Sequence, residues 1–315
     1  MKGKILVTDS LFIFDEHVKQ LGGAGYEVER LDKPDATEAE LCKAVKGKVG
    51  YILGGIEHVT EKVVHEADQL RAITFPGADW QAFIPGSKEA IKQGIAIANA
   101  PGGNAFAVSE FALAMALSMQ RNLFELGRMG DKKFQTALSL KDSVVGIVGA
   151  GRIGGKIIDE VKAFSPGKVM YYSRNPKNCE AELVGLHELV STSDVIFVAV
   201  PGSAGELFDA KTIEKTKQNA LIVSISPMNV IDFTALLTRL KAGTIRAAID
   251  WAAPSSEFEE LPLHVWFNTN SHTAYNTAQA LKQCSDMAIE SLLNLLTTGE
   301  DQYLVNPEYK QYKTS

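Results

Sequence analysis

The stretch from Val144 to Arg174 constrains this chain more than any other. Val144-Val145-Gly146-Ile147-Val148 is a short apolar run rich in β-branched residues, the pattern of a buried strand. Gly149-Ala150-Gly151-Arg152-Ile153-Gly154 follows, then a helical run, then Val169-Met170-Tyr171-Tyr172-Ser173-Arg174 as a second strand. Strand, glycine turn, helix and strand within about 30 residues form the unit that holds a dinucleotide pyrophosphate. Gly149 permits the tight turn, Gly151 lets the backbone approach the phosphates, and Gly154 lets the helix pack against the sheet. Arg152 and Ile153 open the helix, whose free N–H groups and positive dipole end favour an anion. An ordinary glycine-rich loop is the alternative, and the framing strand and helix argue against it.

The end of the second strand narrows the ligand. A site preferring NAD places Asp or Glu about 20 residues on, where it binds the ribose 2′-hydroxyl. Here the residues are Tyr172-Ser173-Arg174-Asn175, and no acid occurs before Glu180. Ser173 and Arg174, with Lys177 behind them, suit a 2′-phosphate instead. The expected cofactor is therefore NADP(H), with NAD the alternative if Arg174 is only a solvated surface residue.

A length of 315 residues allows about two domains. The formal charge of −6 argues against nucleic acid or an anionic membrane as the main partner. Cys42, Cys179 and Cys284 are widely spaced and form no Cys/His ligand pattern, so neither a disulfide framework nor a metal site is expected. Met1-Lys2-Gly3-Lys4 runs straight into the apolar Ile5-Leu6-Val7, too short for a signal-peptide core, and no apolar run reaches membrane-span length. The expected compartment is the cytoplasm.

Strands and helices alternate along the chain, which implies α/β architecture with parallel, doubly wound, Rossmann-like sheets. Strands are expected at Ile5–Val7, Tyr26–Leu31, Val49–Leu53, Leu70–Phe75 and Ile95–Ala98. Two loops, Gly54-Gly55-Ile56 and Phe75-Pro76-Gly77-Ala78, fall at strand C-termini, the edge where such sheets bind ligands. Gly102-Gly103-Asn104 reads as a hinge, and Ala105 to Leu126 as one long apolar helix buried partly against a second subunit. Glu110 on that helix is expected to be a locally paired buried carboxylate. Later strands are expected at Val195–Val200, Ala220–Ile225 and Thr244–Asp250, and a last long helix at Thr277–Leu296. The final dozen residues read as loosely packed.

Several segments together resemble the D-isomer-specific 2-hydroxyacid dehydrogenases along nearly the whole chain. They are Asn104-Ala105-Phe106-Ala107-Val108-Ser109-Glu110, the Gly149 turn with Arg152-Ile153, Ser193-Asp194-Val195 before Pro201, Ala248-Ile249-Asp250, and Ser271-His272-Thr273-Ala274. The resemblance implies two α/β domains, with the cofactor domain (102–284) inserted into a flavodoxin-like substrate domain (1–101 plus 285–315). It also implies a homodimer, and hydride exchange between a nicotinamide and a 2-keto or 2-hydroxy acid or a related carbonyl compound. Val200, Pro201, Ser226 and Asp250 are expected on the cofactor, and Gly55, Phe75, Pro76, Gly77 and Ala78 on the substrate. Phe75 and the nearby Trp80 suit a larger or less anionic substrate, or else belong to the core.

That chemistry needs a His to protonate the carbonyl, a carboxylate to tune it and an Arg to hold the substrate carboxylate. His272 matches the family His. The family Arg falls on Pro227, and no Lys or Arg occurs from Asn219 to Asp232. The family Glu falls near Ser255 or Ala253, so the nearest acid, Glu257, is expected to substitute. The leading expectation is thus an oxidoreductase with a divergent active site. The alternative is a nicotinamide-nucleotide-binding regulatory or scaffold protein that kept the fold and lost the catalysis. A methyltransferase using S-adenosylmethionine shares the glycine turn but is disfavoured by Ser173-Arg174, because that cofactor has no 2′-phosphate.

Overall fold

The computed structural model describes residues 1–8, 13–33, 35–129 and 136–312. The chain divides into two units, one formed by residues 1–104 and 278–315, the other by residues 105–277 inserted between them.

The first unit carries β1 (Lys4–Thr8), α1 (Asp15–Gly23), β2 (Glu27–Leu31), α2 (Glu38–Ala44), β3 (Lys48–Leu53), α3 (Glu61–His65), β4 (Ala72–Phe75), α4 (Trp80–Phe83), α5 (Ser87–Lys92) and β5 (Ala96–Asn99). Its strands form a sheet of order β2-β1-β3-β4-β5, all parallel. Two apolar clusters cover the two faces, one around Leu41, Val63 and Ile97, the other around Ile5, Ile52 and Leu292. Central strands covered on both faces need continuous apolar runs, and β1 and β3 supply them.

The second unit carries α6 (Ala105–Gln120), α7 (Leu123–Met129), β6 (Val144–Val148), α8 (Arg152–Val161), β7 (Lys168–Tyr172), β8 (Glu182–Leu183), α9 (Leu186–Thr192), β9 (Val195–Val198), α10 (Ala210–Lys215), β10 (Leu221–Ser224), α11 (Phe233–Lys241), β11 (Arg246–Ile249), α12 (Ser256–Glu259) and β12 (Trp266–Asn268). The strand order is β12-β11-β10-β9-β6-β7-β8, again parallel throughout. Chain direction across the sheet reverses between β6 and β9, the switch point at which ligands bind in open α/β sheets. The register there is even. Val148 pairs with Val198, Val198 with Ser224, and Ser224 with Ile249. The residues that leave these strands therefore emerge side by side: Gly149, Ala199, Ile225 and Asp250.

Four expectations need correction. The single helix from Ala105 to Leu126 is two helices, because Asn122 adopts a left-handed φ of 53° and ends the first. Glu110 on α6 is exposed; its neighbour Ser109 is buried instead, and its hydroxyl donates to Glu160 Oε1 at 2.9 Å. The last helix, α13 (Ala278–Thr297), lies wholly in the first unit, so the boundary falls before it rather than at residue 284. It packs along β3, β4 and β5, and Ile289, Leu292 and Leu296 bury its apolar face. The tail through residue 312 is anchored rather than loose. Asn306 is buried, its Oδ1 accepting from Ile97 N at 2.7 Å and its Nδ2 donating to Ile95 O at 2.9 Å, so an amide side chain completes the edge of β5.

Candidate active site

The glycine turn is built as the spacing implies. Gly149 has φ +96°, and a Cβ there would stand 2.5 Å from the Ala199 carbonyl oxygen. A Cβ on Gly154 would stand 1.8 Å from the Gly149 carbonyl oxygen, so only glycine lets α8 approach the turn. Gly151 differs: a Cβ there meets nothing within 4 Å. It is the N-cap of α8 and gives its first N–H groups no side-chain acceptor. An open cradle before an uncapped helix N-terminus fits a pyrophosphate. Arg152 at the helix start is exposed, and Ile153 packs on the core beneath.

Beyond β7 the chain presents Ser173, half-buried, and the exposed Arg174 and Lys177. Among the described residues no carboxylate pairs with Arg174. The Tyr171 hydroxyl holds this loop, accepting from Lys177 N at 2.9 Å and donating to Lys177 O at 3.3 Å. Two basic groups thus stand on a tethered loop with no acid between them.

The remaining strand ends meet through Ser226. The expected strand to Val200 ends at Val198, because Val200 N leaves the ladder and donates to the buried Ser226 Oγ at 2.8 Å. Pro201 then opens a 3-10 turn. Ser226 O accepts from Trp251 Nε1 at 2.9 Å. Pro227, where a cation was expected by resemblance, opens the 3-10 turn Met228–Val230, and Asn229 Nδ2 donates to Gly202 O at 2.8 Å.

At the end of β11 stands Asp250, with no exposed surface. Its oxygens accept from Thr269 Oγ1 at 3.0 Å, Thr273 N at 3.1 Å and Ala274 N at 2.9 Å. These bonds fold the loop 269–274 over the strand end and bring His272 Nδ1 to 3.2 Å from Asp250 Oδ2. With Nδ1–H aimed at the carboxylate, the other nitrogen, Nε2, is the one that takes or gives a proton. The His272 ring lies over the Trp251 indole, centroids 4.5 Å apart and planes 10° apart, with Tyr275 at 5.7 Å.

Glu257 does not occupy this place. It lies on α12, whose Phe258 is buried in the core, so its neighbours Glu257 and Glu259 point outward. Lys241 Nζ holds Glu257 Oε1 at 2.5 Å. The carboxylate against His272 is Asp250, which the sequence suggested only as a nicotinamide contact. Trp251 was not singled out by the sequence at all; its place directly after Asp250, at the end of a core strand, was the available signal.

In the first unit, Gly55 and the segment Phe75-Pro76-Gly77-Ala78 lie at the C-terminal edge of the sheet. Phe75 stacks on Phe83 at 5.0 Å, and both Phe75 and Trp80 pack against the core. Gly77 O accepts from Ala100 N at 3.0 Å and Ala78 O from Asn99 Nδ2 at 2.9 Å, which pins the loop. Beside Gly55 is a buried polar cluster that sequence reasoning missed. Thr8 Oγ1 and Tyr51 Oη both meet Glu57 Oε1, the latter at 3.2 Å, while Glu57 Oε2 is buried with no hydrogen-bond partner among the described residues. Burial pushes the Glu57 carboxyl above its ordinary range and the Tyr51 phenol well above its own. Among the described residues no group of three or more His, Cys, Asp and Glu could hold a metal, and no helix is long and apolar enough to cross a membrane.

Comparison with known proteins matches this geometry. The family model described as "D-isomer specific 2-hydroxyacid dehydrogenase, NAD binding domain" matches residues 111–273, just over half of the chain. The D-3-phosphoglycerate dehydrogenase of Methanocaldococcus jannaschii is 28% identical across 98% of this chain, which spans 61% of that protein. The glyoxylate reductase of Thermofilum pendens is 27% identical across 89% of this chain and 87% of its own. The crystal structure of a protein from Thermus thermophilus shares the fold, with a TM-score of 0.84 at 24% identity over 96% of this chain and 99% of that one. The family model covers more than half of the chain, and this chain therefore belongs to the D-isomer specific 2-hydroxyacid dehydrogenase family.

Proposed function

We propose that this protein is an NADP(H)-preferring oxidoreductase that interconverts a 2-keto acid, or a related carbonyl compound, with the corresponding 2-hydroxy compound. The observation that carries the proposal is the pairing of His272 with the buried Asp250 in the unit that also holds the glycine turn. The nicotinamide, when bound, supplies or accepts the hydride. Gly149, Gly151, Gly154 and the first turn of α8 receive the pyrophosphate, Ser173, Arg174 and Lys177 the 2′-phosphate, and Val200, Pro201 and Ser226 line the nicotinamide side.

In the reducing direction the protonated His272 gives the proton on Nε2 to the carbonyl oxygen. Asp250, held by three other donors, keeps Nδ1–H of His272 in place. No cation stands between Asn219 and Asp232 to grip a substrate carboxylate. Loss of such a charge-assisted hydrogen bond removes about 1.5–3 kcal/mol, so ordinary small 2-keto acids bind roughly ten- to a hundredfold more weakly than with that cation present. Gly55 and Phe75 to Ala78 contribute to substrate binding. The outer side of α6, opposite its buried apolar face and carrying Phe106 at 52% exposure, is the surface of a homodimer.

Pro227 supports a second reading, a nicotinamide-nucleotide-binding regulatory or scaffold protein without turnover. NADPH oxidation against a panel of 2-keto acids and bulkier carbonyl compounds, with His272→Ala and NADH series alongside, decides between them. Turnover abolished by His272→Ala supports the oxidoreductase; tight NADPH binding without turnover of any compound supports the second reading.

A further inference from the structure

We propose that Trp251 is a positioning residue for His272: its indole fixes the plane of the imidazole and favours the protonated ring, completing a carboxylate–imidazole–indole set in which Asp250 holds the edge and Trp251 the face. The proposal rests on His272 being the proton donor of the reaction proposed above, but the contacts that carry it exist without substrate.

The geometry is specific. The two rings are close to parallel, 10° apart, at a centroid separation of 4.5 Å. Trp251 is not free to turn, because its Nε1–H donates to Ser226 O at 2.9 Å and its body packs on the core of the second unit. Ser226 is buried and in turn accepts from Val200 N. A chain of contacts therefore runs from the end of β9, through Ser226 and Trp251, to the face of His272. The side chain of His272 is 45% exposed, so the indole supplies a rigid wall to a ring that is otherwise well hydrated.

An indole face is negative and attracts a cation more than a neutral ring. It therefore separates imidazolium from imidazole, as Asp250 does from the ring edge. Among the described residues Tyr275, tilted by 50° at 5.7 Å, also faces the ring. The loop 269–274 contributes no further charged side chain. Reduction of a carbonyl consumes the imidazolium, so a device that favours this form raises the fraction of protein ready to donate the proton.

The same stacking supplies the test. An imidazolium against an indole quenches its emission, and neutral imidazole does so much less. Tryptophan emission is followed against pH in the full chain, without cofactor or substrate, for the wild type, Trp251→Phe and His272→Gln. The midpoint of His272 is measured in parallel by NMR of histidine-labelled protein. The expected result is a fall in emission as His272 protonates that is absent in both variants. A His272 midpoint lower by roughly half a pH unit in Trp251→Phe is expected with it. An emission titration in His272→Gln equal to that of the wild type overturns the proposal, as does an unchanged midpoint in folded Trp251→Phe. If Trp251→Phe does not fold, the His272→Gln emission arm decides alone. Emission and NMR results as expected, with no carbonyl compound reduced, leave the Trp251 assignment standing and remove the proposed reaction. A His272-dependent turnover with no quench does the reverse.

Discussion

Asp250 is wholly buried, yet its Oδ2 stands 3.2 Å from Nδ1 of His272, whose side chain is nearly half exposed. One carboxylate thus ties the interior of the sheet to a ring at the surface. Asp250→Asn keeps the shape but presents an amide to backbone N–H groups that need acceptors. The expected loss is about 1–3 kcal/mol of stability for a buried group left unsatisfied. In the reducing direction, kcat/KM falls as pH rises and His272 loses its proton. That limb is expected to move to lower pH, because the imidazolium loses its counter-charge. Denaturant titration and pH–rate profiles on the same preparation measure the two effects.

Glu257 is a control for that assignment. It pairs with Lys241 on the exposed surface, so Glu257→Gln is expected to leave the pH–rate profile of any turnover unchanged. A shifted limb would show that Glu257 reaches His272 during the reaction. His272→Ala, by contrast, is expected to lower turnover by roughly 10²–10⁴ while NADPH binding persists.

Arg174 distinguishes the two nicotinamide cofactors. Arg174→Ala is expected to weaken NADPH binding by roughly ten- to a hundredfold, the worth of a charge-assisted hydrogen bond, and to leave NADH binding unchanged. Isothermal titration with both nucleotides measures it; equal loss for both would mean that Arg174 contacts something other than the 2′-phosphate.

Gly154→Ala places a methyl group where the Gly149 carbonyl oxygen already stands. Either α8 moves away or the turn opens, at an expected cost of about 1–3 kcal/mol. Nucleotide affinity and thermal midpoint are expected to fall together. Gly151→Ala meets no protein atom, so it is expected to keep the thermal midpoint and lose nucleotide affinity alone.

Glu57 gives a pH dependence in the first unit. Its carboxyl is raised from 4.5 by burial, so the folded state holds a proton that the unfolded state releases. Its stabilising contribution is complete below the ordinary carboxyl range and is lost as pH rises through the raised folded value. Glu57→Gln removes that titration. Relative to the wild type, the variant is expected to gain stability as pH increases across this window, read as a growing difference in denaturation midpoint. A difference that stays constant with pH would mean that the carboxyl titrates alike in the folded and unfolded chain.

The spacing of Gly149, Gly151 and Gly154, the alternation of apolar runs and amphipathic stretches, and Ser271-His272-Thr273 were enough to indicate parallel α/β architecture, a dinucleotide turn and a candidate proton donor. Each of these is a local property: a glycine meets a clash within a few residues, and a buried strand shows its burial as a continuous apolar run. Asn122 was misread for the opposite reason, since the apolar pattern ran on while a single left-handed residue ended the helix. What only the tertiary structure decided was which carboxylate meets His272. Glu257 and Asp250 both lie upstream in sequence. The register of β10 and β11 brings the end of β11 beneath the loop 269–274, and the burial of Phe258 turns Glu257 outward. Trp251 reached His272 by the same route, because the direction of a side chain leaving a strand end is set by packing around it and leaves no period in the sequence.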